Sequence, residues 1–380
     1  MVSNASIPVL SVSEFTQIYS QIVINTLDKK LPISSIHSVF LWGAPGVGKS
    51  QGVSELAKIL ENSTGKRVEV TDIRLLLMNP VDLHGIPSPN KEKTMTVWLK
   101  PQLFNMPATD DVINILFLDE LSAAPPAVQA AAYQLVLDRK VGEHTLPDNT
   151  LVIGAGNRVN DRSVAYHMPK ALANRFSHFE ICPDAKSWNN WAINKEINPY
   201  VVAYLKADES RLLMSEDNYE KLAYPTPRTW EFVSDYLNLV DADTDLSPHY
   251  KVIASYIGNA MALEFVNWVK SHKDLPRISD IFAGNKVTVP SSMDGMFLVT
   301  SSIVSYVTCK LRLGIRAEEL ENMAAFVLRL PTDFAISLYS DLLGLRGIHD
   351  LLSACDSFVK WTQNNEKAYI ALCKRQGIEL

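Results

Sequence analysis

Eight consecutive residues, Gly43, Ala44, Pro45, Gly46, Val47, Gly48, Lys49 and Ser50, fit the pattern G-x-x-x-x-G-K-[ST] directly after the apolar run His37–Trp42. Glycines at these positions let backbone N–H groups close around phosphate oxygens, and a helix starting at Gly48 adds its positive dipole end. Lys49 suits the β- and γ-phosphates of a nucleotide, and Ser50 suits Mg²⁺. Asp119 and Glu120 end a second apolar run, Ile115–Leu118. Two acids at the C-terminal end of a strand stand at the mouth of a sheet, Asp119 to hold Mg²⁺ through water and Glu120 to orient and polarise an attacking water. Alone, the same pair reads as a core strand ending in two solvated acids. Asn157 closes a third run, Leu151–Gly156. Its amide could hold the water against a γ-phosphate, or it is a turn residue. Arg175 sits at a helix end before a further strand. It is either a solvated charge or, in a ring-forming enzyme, the finger placed in a neighbour's site, a role for which Arg158 and Arg162 compete. The chemistry this set can perform is MgATP binding and hydrolysis. Adenine is preferred to guanine because Asn194-Lys195-Glu196 is no guanine-reading sequence in the right place.

These residues need a scaffold. Ser11 and Glu14 have capping-box spacing ahead of a helix reaching about Leu27. His37–Trp42, Arg67–Ile73, Ile113–Leu118, Leu151–Ala155 and His178–Cys182 read as strands, with helices over Gly48–Leu60 and Pro126–Leu137 between them. Strands alternating with helices imply an α/β fold with a mostly parallel sheet covered on both faces. After Pro183 the pattern turns helical. The expected divisions are an N-terminal helix over 1–34, an αβα nucleotide-binding domain over 35–183, a helical lid over 184–275 and a helical extension over 276–380. Between Val81 and Pro101, Pro/Gly turns and the alternating Thr94–Trp98 segment interrupt the expected helix and predict a hairpin. Trp98 is expected to pack on the sheet, and Met95 to pack or to make contacts outward.

The 380 residues carry a net charge of −6, which argues against a surface that coats nucleic acid or anionic membrane. Four scattered cysteines with no C-x-x-C pair read as reduced thiols. The start has no evident signal peptide, and the uncharged stretch Met296–Cys309 is short for a bilayer span, so a buried helix is expected there. Asp241, Asp243 and Asp245 imitate the opening of a calcium loop. Leu246 and Val252 stand where that loop needs its glycine and its bidentate glutamate, so an acidic turn is expected.

The order of the four chemical elements is similar to that of the AAA+ superfamily, and their detail resembles its dynein-related, MoxR-like branch. The resemblance is carried by Asp72-Ile73-Arg74, then Pro80–Pro87, by Val141-Gly142-Glu143 through Leu146-Pro147, and by Met168-Pro169 leading to Asn174-Arg175-Phe176. Thr226-Pro227-Arg228-Thr229-Trp230 is similar to the family's second sensor, which implies a catalytic role for Arg228. Coverage runs roughly from Ile36 to Leu239. Beyond it, Arg329-Leu330-Pro331 is similar to a subgroup encoded beside von Willebrand-type partner proteins. The resemblance implies an AAA+ core, an all-α lid and a helical extension, with ATP hydrolysed at the subunit interfaces of a homo-oligomeric, six-membered ring. It further implies a cytoplasmic, chaperone-like activator of a partner protein, with the Val81–Pro101 segment as the hairpin insert. A nucleic-acid motor and an ATP-gated scaffold with little turnover are the rival classes; the acidic balance disfavours the first and the intact Glu120 the second.

Overall fold

The computed structural model describes residues 7–158, 168–213, 222–241, 244–272 and 275–378, so Arg162 and Asp243 lie outside the described residues. The chain divides into two compact units, Met1–Asp184 and Ala185–Leu380.

The first unit is built on a parallel sheet. Its strands are β1 (Val9–Leu10), β2 (Val39–Trp42), β3 (Arg67–Arg74), β6 (Val112–Asp119), β9 (Thr150–Gly156) and β10 (Ser177–Ile181), in the order β1-β10-β2-β9-β6-β3. Two antiparallel hairpins stand outside it: β4 (Ile86–Pro89) with β5 (Thr96–Leu99), and β7 (Lys140–Val141) with β8 (His144–Thr145). The central strands are apolar without alternation because both faces are covered. On one face Phe40, Leu116, Leu118 and Val152 pack against Val128, Ala132 and Leu135 of the helix Pro126–Leu137. The other face carries the helices Val12–Asp28 and Lys49–Thr64, which lie against each other. The first of these opens with a reciprocal cap: Glu14 N donates to Ser11 Oγ at 3.1 Å, and Ser11 N to the Glu14 carboxylate at 2.8 Å.

The α/β core followed by helices agrees with the fold class expected from sequence. One strand is new: Val9 and Leu10 pair with Glu180 and Ile181 and extend the sheet by an edge. The hairpin expected within Val81–Pro101 is present as β4 and β5. Trp98 is half-buried and its carbonyl meets His144 Nε2 at 3.1 Å, so the second hairpin supports the first. Ile86, Met95 and Leu99 are exposed.

The second unit is helical and holds two apolar clusters. One draws on residues 188–269 with Leu298 and centres on Tyr204, Trp230 and Phe265; the other draws on 281–372 and centres on Tyr339, Phe358 and Trp361. Lys206, from the first group, pairs with Asp341, from the second, at 2.5 Å, with both side chains largely out of water. The stretch read as too short for a bilayer belongs to the helix Met293–Leu313, which among the described residues is the one helix long and apolar enough to cross a membrane. Leu298, Val299, Ile303, Val304 and Val307 are buried within the unit, as a core helix requires.

Candidate nucleotide site

The loop Gly43–Gly48 joins the buried strand β2 to the helix beginning at Lys49, so its backbone is held at both ends. Gly43, Gly46 and Gly48 have φ of 154°, 81° and 102°. A Cβ on Gly43 would stand 2.7 Å from the Ile181 carbonyl oxygen, so only glycine fits where the loop crosses the end of β10.

Four polar side chains converge here from three neighbouring strand ends. Lys49 Nζ donates to the carbonyls of Gly43 at 2.6 Å and Ala44 at 3.1 Å, and to Asn157 Oδ1 at 2.9 Å. Ser50 Oγ donates to Asp119 Oδ2 at 3.1 Å. The other Asp119 oxygen accepts the backbone N–H of Glu120 at 2.8 Å. Glu120 has φ +56°, a left-handed conformation uncommon for a residue with a Cβ and concentrated at functional sites. Lys49, Ser50, Asp119 and Asn157, more than a hundred residues apart at the extremes, thus share one end of the sheet. Glu120 lies next to them, half-buried.

Sequence reasoning missed Ser122. It is 1% exposed, donates its hydroxyl to the Asn157 carbonyl at 2.9 Å and accepts the Asn157 N–H at 3.0 Å. This double bond fixes the Asn157 backbone and so aims its amide at Lys49. No motif signals it, because its partner is 35 residues away. Asp72 also faces this region from β3. Partial burial pushes its carboxyl above the usual range, the nearby Asp119 charge adds to this, and Arg74 opposes it.

Of the arginines considered as fingers, Arg158 and Arg175 separate by position, and Arg162 lies outside the described residues. Arg158 follows β9 at the same end as the loop and pairs with Glu180 at 2.6 Å. Arg175 lies at the other end. Ser177 is level with Val39, and Gly43 follows Trp42, so roughly 15–20 Å of extended chain separates Arg175 from its own loop at ~3.3 Å per residue. Its side chain is exposed and makes no hydrogen bond or ion pair among the described residues. Arg228 lies in the second unit, exposed in the first turn of the helix Pro227–Asn238, whose start is capped by Thr226 and Thr229.

Among the described residues no group of three or more His, Cys, Asp or Glu side chains is placed to hold a metal unaided. An oxygen pair such as Ser50 and Asp119 still fits a hard cation whose other ligands are water and phosphate. At the acidic turn, Asp245 accepts from Ser247 N and Oγ, a local cap.

Residues 38–178 match the model of an ATPase family associated with various cellular activities (AAA). No curated protein matches the chain in sequence. Among solved structures, a mutant of RuvB from Thermotoga maritima is similar at 18% identity, over 72% of this chain and 77% of that one, with a TM-score of 0.34. The Aeropyrum pernix ORC2 protein is similar at 13% identity over 94% and 88%, with a TM-score of 0.33. A chain of the E. coli HORMA:CdnC:Trip13 complex is similar at 14% identity over 68% and 88%, with a TM-score of 0.38. These whole-chain superpositions are loose; the domain match is what coincides with the geometry above. Residues 38–178 are similar to an AAA-type ATPase domain, a match that spans the glycine loop, Asp119, Glu120 and Asn157 and supports ATP hydrolysis by the protein.

Proposed function

We propose that the protein binds MgATP at Gly43–Ser50 and hydrolyses it at the interfaces of a homo-oligomeric ring, a hexamer, in order to remodel or activate a partner protein, as MoxR-like chaperones do. The observation that carries this reading is the convergence of Lys49, Ser50, Asp119 and Asn157 on the end of the sheet where the glycine loop turns. In this reading the loop amides hold the phosphates. Lys49 exchanges its carbonyl partners for β- and γ-phosphate oxygens, a fixed cation meeting a dense anionic charge. Ser50 and Asp119 would hold Mg²⁺, which supplies charge neutralisation between the phosphates. Glu120 orients the attacking water and draws off its proton, and Asn157 holds that water in line, its backbone fixed by Ser122. Arg175 acts on the neighbour's γ-phosphate, a role favoured by its distance from its own loop and its exposed guanidinium. Arg228 takes the catalytic second-sensor role that the resemblance implies.

A protein client, of von Willebrand type in the subgroup this chain resembles, fits better than nucleic acid because the chain is acidic. The exposed apolar Ile86, Met95 and Leu99 make the β4–β5 hairpin the favoured contact with it.

Calorimetry with phosphate release tests the core of the proposal. Lys49→Ala is expected to abolish ATP binding, whereas Glu120→Gln binds ATP and turns over at least ~10²-fold more slowly. Wild-type turnover in Glu120→Gln would remove Glu120 from the mechanism. Replacing Lys91–Thr96 by a short Gly/Ser turn is expected to leave basal turnover intact and to weaken capture of the protein that copurifies with the Glu120→Gln variant.

A further inference from the structure

One side chain that the site above does not use joins the strand entering the glycine loop to the segment that carries Arg175. Trp42 is the last residue of β2, followed at once by Gly43. Its indole Nε1–H donates to His178 Nδ1 at 2.9 Å. On the other side of the same ring, His178 Nε2 meets the carbonyl oxygen of Ala173 at 2.7 Å. An indole nitrogen only donates and a carbonyl only accepts, so the imidazole is fixed as the tautomer with its proton on Nε2. Ala173 ends the short helix Lys170–Ala173, two residues before Arg175. Ring packing holds the bridge in place. Phe40 stands 4.4 Å from Trp42 and 5.3 Å from Phe176 between ring centroids, and Trp42 and His178 are stacked 6.0 Å apart. A Cβ on Gly154 would stand 2.9 Å from the Phe40 ring, so the cluster has no slack beneath it.

We infer that His178 is a positioning residue that fixes the helix end bearing Arg175 relative to the strand entering the glycine loop, so that the nucleotide in one subunit bears on the finger that subunit offers its neighbour. The inference rests on the reading of Arg175 as a finger acting in trans. The bridge has two polar joints and a packed surround, so a displacement of Trp42 as the loop closes on phosphate is carried to Ala173 without being absorbed by water or a flexible side chain. Arg175 itself is exposed and has no partner of its own among the described residues, so its direction is set by the backbone that His178 holds.

The test measures ATP affinity, turnover and the Hill coefficient of turnover against ATP in assembled protein. His178→Phe keeps the ring and loses both hydrogen bonds. It is expected to lower turnover about tenfold, roughly the effect of losing one to two neutral hydrogen bonds from the transition-state geometry. ATP affinity should stay within about twofold and the Hill coefficient should fall towards one, since the P-loop is untouched while the link is cut. His178→Gln retains a donor that can reach Ala173 and should recover part of the turnover. Trp42→Phe, which leaves His178 intact, should reproduce the lost cooperativity and serves if His178→Phe does not fold. In an Arg175→Ala background, His178→Phe should lower turnover no further. Unchanged turnover and cooperativity in both His178→Phe and Trp42→Phe, beside a silent Arg175→Ala, would overturn the inference alone. Equal loss of affinity and turnover in His178→Phe, His178→Gln and Trp42→Phe would make His178 a structural residue and overturn it too. Full activity of Arg175→Ala would instead sink the finger reading, and this inference with it.

Discussion

In the α/β unit, polar side chains gather at strand ends: Lys49, Ser50, Asp119, Ser122 and Asn157 hydrogen-bond one another within a few residues of the last turn of β2, β6 and β9. In the helical unit the interior is aromatic, with Tyr204, Trp230, Phe265 and Trp268 edge to face, and its most enclosed ion pair, Lys206 with Asp341, ties one apolar cluster to the other. A parallel sheet satisfies its backbone internally and leaves all its strand ends at one rim, so a constellation can assemble there without cost to the core. A helical bundle satisfies its backbone within each helix, so its buried polar groups serve packing and register. Substitutions among the strand-end polar groups of the first unit should therefore change chemistry at nearly constant stability, and those in the aromatic interior of the second should do the reverse.

The largest expected effect is that of Arg175→Ala, an exposed residue whose loss should lower turnover on the order of 10³-fold while ATP affinity changes little. Mixing it with Lys49→Ala, each inactive alone, should partly restore activity by forming interfaces with an intact loop and an intact finger. No recovery in rings shown to be mixed would count against action in trans. Next is Trp230→Ala. Trp230 is fully buried, and its removal is expected to cost the helical unit about 3–5 kcal/mol in denaturant unfolding, with ATP affinity retained. Loss of nucleotide binding at temperatures where the variant is folded would break the contrast between the units. Asp341→Ala should cost about 3 kcal/mol by leaving Lys206 buried and unpaired, whereas Lys206→Met with Asp341→Leu should be close to neutral. A double variant as unstable as the single one would give the pair a role beyond packing. The smallest effect is expected from Ser122→Ala, a few-fold loss of turnover as the Asn157 backbone loosens, at unchanged ATP affinity. A tenfold or greater loss of affinity would instead place Ser122 in phosphate binding.

The same contrast explains what could be read from the sequence. The convergence of the glycine loop with Asp119 and Asn157 was legible because the loop is eight consecutive residues and each of the other two ends an apolar run. Pro126–Leu137 and the Ser11–Glu14 cap are local patterns, and the structure has both at those residues. Val9–Leu10 could not be read: two residues have no periodicity, and pairing with β10 alone makes them a strand. Ser122 and His178 were silent for a related reason, since each acts through a partner 35 or 136 residues away. In the helical unit the helices were visible as a class, but the aromatic cluster around Trp230 and the Lys206–Asp341 pair depend on packing between helices that spacing along the chain does not encode.

Glu120 sits at φ +56°, where a residue with a Cβ bears steric strain of order 1 kcal/mol that glycine does not. A population of this gene selected for heat resistance alone, with no demand on turnover, therefore has an uphill step waiting at this position. Glu120→Gly would be kept for its relieved strain and would discard the carboxylate in the same step. Thermal rank and catalytic rank would then move in opposite directions at one residue, so a stabilised descendant of this protein should be sequenced at position 120 before its melting temperature is taken as an improvement.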